Sequence, residues 1–179
     1  MKILGAILAG GGSTRFGSDK ALAILDGKPL LAHVAEALAA QVDTLVVCGR
    51  LWPGLETVAD RPAADLGPLG GLCGALLHAN ATGHDAVLTA GCDVLPIPFD
   101  LCRRLGTAPA YIAGQPLFAL WPASLGATLE QRLRESDDRS IRSWITFSGA
   151  RAVALDLPLH NFNTPADLAD YPGAGGRTR

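Results

Sequence analysis

Residues 3 to 9, Ile-Leu-Gly-Ala-Ile-Leu-Ala, form an unbroken apolar run without helical period, and three consecutive glycines, Gly10, Gly11 and Gly12, bring it to an end. A run of this length and character fits a central strand buried on both faces. Such a strand must be covered from either side, which calls for helices above and below a sheet. The glycines that follow let main chain come close to whatever lies beyond the strand.

The remaining sequence repeats this alternation. From Pro29 onward, Leu30, Val34 and Leu38 recur every four residues, with Leu31 and Ala35 widening the stripe. That pattern predicts a helix with Pro29 in its first turn. Residues 44 to 49, Thr-Leu-Val-Val-Cys-Gly, read as a second buried strand, and the strand, helix, strand order implies parallel pairing. Val58 ends a short third strand before Asp60. Pro68 and the glycines at 67, 70 and 71 lead into a helix over 72–79, and residues 86–90 form another buried strand ending at Gly91-Cys92-Asp93. Beyond residue 100 the pattern predicts helices over 99–105 and 124–135, strands over 116–121 and 152–155, and a last short helix opened by Thr164-Pro165 with Thr164 as its cap. Residues 173–179 read as a frayed, flexible tail, leaving 1–172 as a single domain. The expected fold is α/β: three layers, Rossmann-like, with a mostly parallel central sheet and helices on both faces.

Composition narrows the function. With 179 residues, 49% of them hydrophobic, the chain can build one substantial core. No apolar stretch approaches the roughly 20 residues of a membrane span, so a cytoplasmic protein is expected. Fifteen Lys and Arg against 17 Asp and Glu give a net charge of -2, which excludes the broad basic face of a nucleic-acid-binding protein. Any anion site must therefore be local. Only three of the cations are lysines, and two of them, Lys20 and Lys28, lie within or just after the glycine-rich segment. Cys48, Cys73, Cys92 and Cys102 are scattered without metal-ligand spacing and read as small buried hydrophobes.

The segment Leu8-Ala9-Gly10-Gly11-Gly12-Ser13-Thr14-Arg15-Phe16-Gly17-Ser18-Asp19-Lys20 carries the chemistry. Its glycines can point N–H groups at a phosphate, while Arg15 and Lys20 supply neutralising charge. Two common phosphate loops do not fit. A Walker A loop requires Lys and Ser/Thr after Gly17, where Ser18 and Asp19 stand; a dinucleotide fingerprint starting at Gly10 and Gly12 requires glycine where Arg15 stands.

The pattern Leu-Ala-Gly-Gly-x-Ser-x-Arg-Phe-Gly-x-Asp-Lys-Ala-Leu resembles the signature of the molybdenum cofactor guanylyltransferases, the MobA family of nucleotidyltransferases. Further matches follow in the family's order: Gly27-Lys28-Pro29-Leu30, Gly67-Pro68-Leu69-Gly70-Gly71, Cys92-Asp93 with Pro96, and Asn161-Phe162-Asn163-Thr164-Pro165. The resemblance implies a nucleotidyltransferase fold, GTP as donor, metal-loaded molybdopterin as acceptor, and Mg2+ as cofactor. Transient contact with other cofactor-biosynthesis proteins or target molybdoenzymes is part of the same expectation. Carried onto matching positions, Gly10, Gly11, Gly12, Arg15 and Lys20 would hold the triphosphate, Leu8, Ala9 and Asp60 would help hold the nucleotide, and Asp93 would bind both nucleotide and metal. Arg15, Lys20 and Asp93 would be the catalytic set. Asn161 and Asn163 would line the cleft opposite Asp93, on the acceptor side.

Catalysis of this kind depends on positioning and fixed positive charge, because in-line attack on the α-phosphate builds charge on the leaving pyrophosphate. An acceptor phosphate is already an anionic nucleophile, so no general base is expected. Gly10, in place of the alanine of cytidylyl relatives, leaves room for a purine. Where the family often has Asn at the end of the second strand, this chain has Cys48-Gly49-Arg50, so purine contacts come from elsewhere or from main chain. Arg139 and Arg142 read equally as a solvated face and as an acceptor-phosphate clamp. The competing readings are a transferase using CTP or a different small phosphorylated acceptor, and a nucleotide-binding domain without activity.

Overall fold

The structure is a computed structural model that describes residues 1–10 and 19–171. In chain order the elements are β1 (Ile3–Leu8), β2 (Ile24–Leu25), β3 (Lys28–Pro29), α1 (Leu30–Ala39), β4 (Thr44–Cys48), β5 (Glu56–Val58), α2 (Pro68–Ala81), β6 (Ala86–Gly91) and β7 (Val94–Leu95). They continue with α3 (Leu101–Leu105), β8 (Ala110–Ile112), β9 (Gln115–Pro122), α4 (Gly126–Glu135), α5 (Ile141–Ser148), β10 (Arg151–Val153), β11 (His160–Asn161) and α6 (Pro165–Ala169).

Seven strands make the central sheet in the order β10-β8-β9-β6-β1-β4-β5. β1 sits between β4 and β6 and pairs in parallel with both, Leu8 lying opposite Cys48 on one side and Gly91 on the other. β9 pairs antiparallel with β6 and β8, while β8 and β10 pair in parallel. The sheet is therefore mostly parallel, as the uninterrupted apolar strands require.

Alternation along β1 divides the core in two. Ile3 and Ile7 face a layer built with Leu30, Leu31 and Leu38 of α1 and Leu101 of α3. Leu4, Ala6 and Leu8 face the opposite layer, with Leu72 and Leu76 of α2, Leu129 of α4 and Trp144 of α5. Every residue of β1 and β6 is buried, which explains why neither shows polar alternation in sequence.

Several boundaries differ from expectation. α2 starts at Pro68, so Gly70 and Gly71 lie inside the helix and not in a lead-in loop. Close packing explains the difference. A Cβ on Gly70 would lie 3.1 Å from Asp60 Oδ2, and one on Gly74 only 2.2 Å from the Ala59 carbonyl oxygen, so the helix can press against the end of β5 only because it lacks side chains there. Pro29 precedes α1 in extended conformation and pairs in the β2/β3 ribbon. α5, absent from the sequence reading, is capped by Ser140, whose Oγ accepts from Ser143 N, and ends at Gly149. Thr164 caps α6 as expected, and Asp167 completes a reciprocal capping box with it. Residues 173–179, read as a tail, lie outside the described residues. Among those described, no helix is long and apolar enough to cross a membrane.

Candidate active site

The chain runs outward from β1 to β4 and β5, then returns across β1 to β6, so the strand order reverses between β1 and β6. In an open α/β sheet this reversal leaves a crevice beyond the carboxyl ends of the strands. A cleft of about 270 Å³ opens there. Leu8, Ala9 and Gly10 enter it from the end of β1, Arg50 from beyond β4, and Gly91, Cys92 and Asp93 from the end of β6; Asp19, Lys20, Ala21, Pro68 and Leu117 complete the wall.

Main chain forms much of the floor. Ala9 N donates to the Cys48 carbonyl at 3.1 Å, extending the β1–β4 pairing. Gly49 has φ +81°, and a Cβ on it would sit 2.5 Å from Gly10 Cα. The contact and the positive φ together require glycine at position 49. A Cβ on Gly10 would itself lie 3.3 Å from Gly49 Cα, so packing between neighbouring strand ends constrains Gly10 independently of any room left for a purine.

Lys20 belongs to a three-residue 3-10 turn, Lys20–Leu22, capped by Asp19. Its Nζ lies 3.3 Å from Asp93 Oδ2 and 3.2 Å from Asn163 Oδ1. Residues far apart in sequence thus meet at one ammonium. The Lys20 side chain is 13% exposed and that of Asp93 37%, so the carboxylate has the more open outlook. Asp93 is itself held by main chain: its carbonyl accepts from Phe162 N at 2.8 Å, alongside the antiparallel β7/β11 pairing. The neighbouring Cys92 thiol is pushed up to about 11, first by burial and then by the Asp93 charge, and stays protonated at neutral pH.

Asp60 stands behind the Gly10–Gly49 contact, near Gly49, Gly70 and Gly71. Its Oδ1 is buried without a hydrogen-bond partner among the described residues. Burial raises its pKa, and the Asp65 charge adds to the shift. Asp60 is not among the residues that line the cleft.

Of the residues singled out from sequence, Leu8, Ala9, Gly10, Lys20 and Asp93 line the cleft, and Asn163 reaches Lys20. Asn161 instead accepts from Gln115 Nε2 at 3.2 Å and pairs with Val94 through β11. Gly11, Gly12 and Arg15 lie outside the described residues. Arg139 and Arg142 are exposed around the start of α5 and are not among the residues that line the cleft.

Sequence reasoning assigned no role to Asp19 or Arg50. Both line the cleft and face each other as an ion pair, Arg50 Nη1 donating to Asp19 Oδ1 at 2.6 Å and Nη2 pairing with Oδ2. The available signal was positional: each follows the carboxyl end of a central strand, the edge where ligands gather.

Residues 5–153 match the family model described as a MobA-like NTP transferase domain. A molybdenum cofactor guanylyltransferase of Rhodobacter capsulatus is 38% identical over 183 aligned positions, covering 94% of this chain and 94% of its own. One of Rhizobium meliloti (strain 1021) is 34% identical over 189 positions, covering 90% of this chain and 87% of its own. The crystal structure of molybdopterin-guanine dinucleotide biosynthesis protein A from Archaeoglobus fulgidus shares the fold, with TM-score 0.71 at 19% identity, covering 93% of this chain and 95% of that one. Sequence similarity over nearly the whole length, on a sheet whose crevice collects the motif residues, shows that the chain belongs to the MobA-like NTP transferase family of nucleotidyltransferases.

Proposed function

We propose that this protein transfers GMP from GTP to the terminal phosphate of molybdopterin, forming the guanine dinucleotide cofactor and releasing pyrophosphate. The observation that carries the reading is the meeting of Lys20, Asp93 and Asn163 beyond the ends of β1 and β6, in a cleft floored by Gly10 and Gly49. Guanylyl transfer as such is supported by relatives that bear the guanylyltransferase name across the full chain.

In this reading Lys20 neutralises the triphosphate, joined by Arg15 and the main chain of Gly10 to Gly12. Asp60, already lacking a donor for Oδ1, helps hold the nucleotide. The acceptor phosphate enters from the side of Asn161 and Asn163, with Arg139 and Arg142 as further candidates for its charge. No general base is required, because the attacking oxygen is already anionic. The two core layers share one sheet, which supports treating 1–172 as a single domain.

Asp93 suits a divalent metal of the Mg2+ kind. Its oxygens are hard donors, and a Cβ on Gly91 would lie 3.0 Å from Asp93 Oδ1, so the glycine leaves space for the carboxylate at the strand end. No group of three or more His, Cys, Asp or Glu suited to a metal occurs among the described residues. That donor set matches a cation held by one carboxylate together with water and phosphate oxygens. When bound, Mg2+ would supply positive charge to the phosphates as pyrophosphate departs.

The test is turnover of molybdopterin with each NTP and Mg2+, following both pyrophosphate and the dinucleotide product. GTP-dependent formation of both is expected. A preference for CTP would overturn the base assignment, and nucleotide binding without either product would overturn the enzymatic reading.

A further inference from the structure

The Asp19–Arg50 pair joins two segments that the cleft requires in register. Arg50 follows directly on Gly49, and its main chain is fastened to the neighbouring strand: Gly49 N donates to the Val58 carbonyl at 3.4 Å, and Thr57 Oγ1 donates to the Arg50 carbonyl at 3.1 Å. The guanidinium therefore projects from a fixed base. Its two terminal nitrogens take both oxygens of Asp19, a fork that constrains orientation as well as distance. Asp19 in turn accepts from Ala21 N at 3.2 Å through Oδ1, and its carbonyl accepts from Leu22 N at 3.0 Å. These bonds define the turn whose first residue is Lys20, the residue that reaches Asp93 and Asn163. A continuous series of contacts thus runs from the end of β4 to the Lys20 ammonium.

We propose that Arg50 is a positioning residue for nucleotide transfer: by gripping Asp19 it holds the Lys20 turn against the floor of the cleft, so that the ammonium meets the triphosphate in register. This rests on the reading of Lys20 as a phosphate-binding residue. The role assigned to Arg50 rests on this fork, each terminal nitrogen taking one oxygen of Asp19, while its Nε lies buried without a hydrogen-bond partner among the described residues. The Arg50 side chain is 21% exposed and that of Asp19 41%, so net charge at this place contributes less than orientation does. Lysine cannot reproduce a two-pronged grip, since an ammonium is a point charge without a planar fork.

The experiment compares Arg50→Ala, Arg50→Lys, Lys20→Ala and the double variant Arg50→Ala/Lys20→Ala in steady-state pyrophosphate release with GTP, Mg2+ and molybdopterin, together with calorimetric GTP binding and melting temperature. Arg50→Ala is expected to lose about tenfold to a hundredfold in kcat/KM, as a displaced charge does, while remaining folded. Arg50→Lys should recover only part of that loss. The double variant should be no worse than Lys20→Ala beyond about twofold, since residues acting through one group are not additive. Losses that multiply in the double variant would show that Arg50 acts independently of Lys20 and would overturn the proposal. So would full activity of Arg50→Ala beside a disabled Lys20→Ala. Full activity of Lys20→Ala would instead remove the underlying phosphate-binding role and the proposal with it. If Arg50→Ala does not fold, Asp19→Asn carries the same comparison, because it keeps an oxygen for Ala21 N but weakens the grip on Arg50.

Discussion

Lys20 and Asp93, 73 positions apart in sequence, form an ion pair of 3.3 Å at the point where β1 and β6 part. Each balances the other's charge until a ligand enters. Under the proposed function, a nucleoside triphosphate with its metal would offer both groups a new partner, the phosphates for the ammonium and the cation for the carboxylate. Exchange of partners keeps the cost of breaking the pair low.

Asp93→Ala is expected to reduce pyrophosphate release by at least about a hundredfold, the scale seen when a fixed electrostatic partner of a transition state is lost. The fold should survive, since the carboxylate faces the cleft and not the core. Turnover at the unmodified rate in a folded variant is the result that would sink the assignment.

Lys20→Ala should raise KM for GTP and also lower kcat, because the ammonium is placed to act on the triphosphate both before and during transfer. Steady-state kinetics with varied GTP separates the two effects. A change confined to KM would restrict Lys20 to ground-state binding.

Asp60→Asn is expected to stabilise the free protein by about 1 kcal/mol while weakening nucleotide binding, because it removes a charge whose Oδ1 lacks a partner. The sign follows from linkage. Asp60 has a raised pKa in the folded protein, from a reference of 3.8, so its contribution to stability is present below that value and is lost as pH rises through the folded pKa. Thermal melts at rising pH should therefore show the variant gaining on the parent protein. An equal difference at every pH would exclude the charge as cause.

Gly49→Ala should destabilise the protein by about 1–3 kcal/mol, the usual cost of overpacking. The added methyl group would meet Gly10 Cα at 2.5 Å in a backbone conformation, φ +81°, that side chains disfavour. Denaturant melts measure the loss. A neutral substitution would mean that the two strand ends can separate without penalty.

Much of this was legible in the sequence, and the exceptions have physical causes. β1, β4 and β6 announced themselves because both faces are buried, leaving continuous apolar runs. Lys20 and Asp93 stood out because they occupy matching positions of the family signature, and the folded chain brings them together. α2 was started late because Gly70 and Gly71 resemble loop residues, although the close approach of Asp60 is what demands them. α5 escaped notice because it is short and surface-facing, with Trp144 as its only fully buried side chain. Asp19 and Arg50 were passed over because a pairing between loops leaves no periodic trace. Only the folded chain brings opposite charges from two strand ends together.

The amide of Phe162 that fastens the Asp93 carbonyl has a consequence for how the protein comes into being. During synthesis the strands flanking the crevice are complete soon after residue 91, yet the clasp on the Asp93 end is encoded some 70 positions later. A ribosomal product cut short before residue 160 would lack this bond, leaving the Asp93 carbonyl without its Phe162 partner. A fully fastened Asp93 end is thereby tied to synthesis of the β11 segment as well as of the central strands.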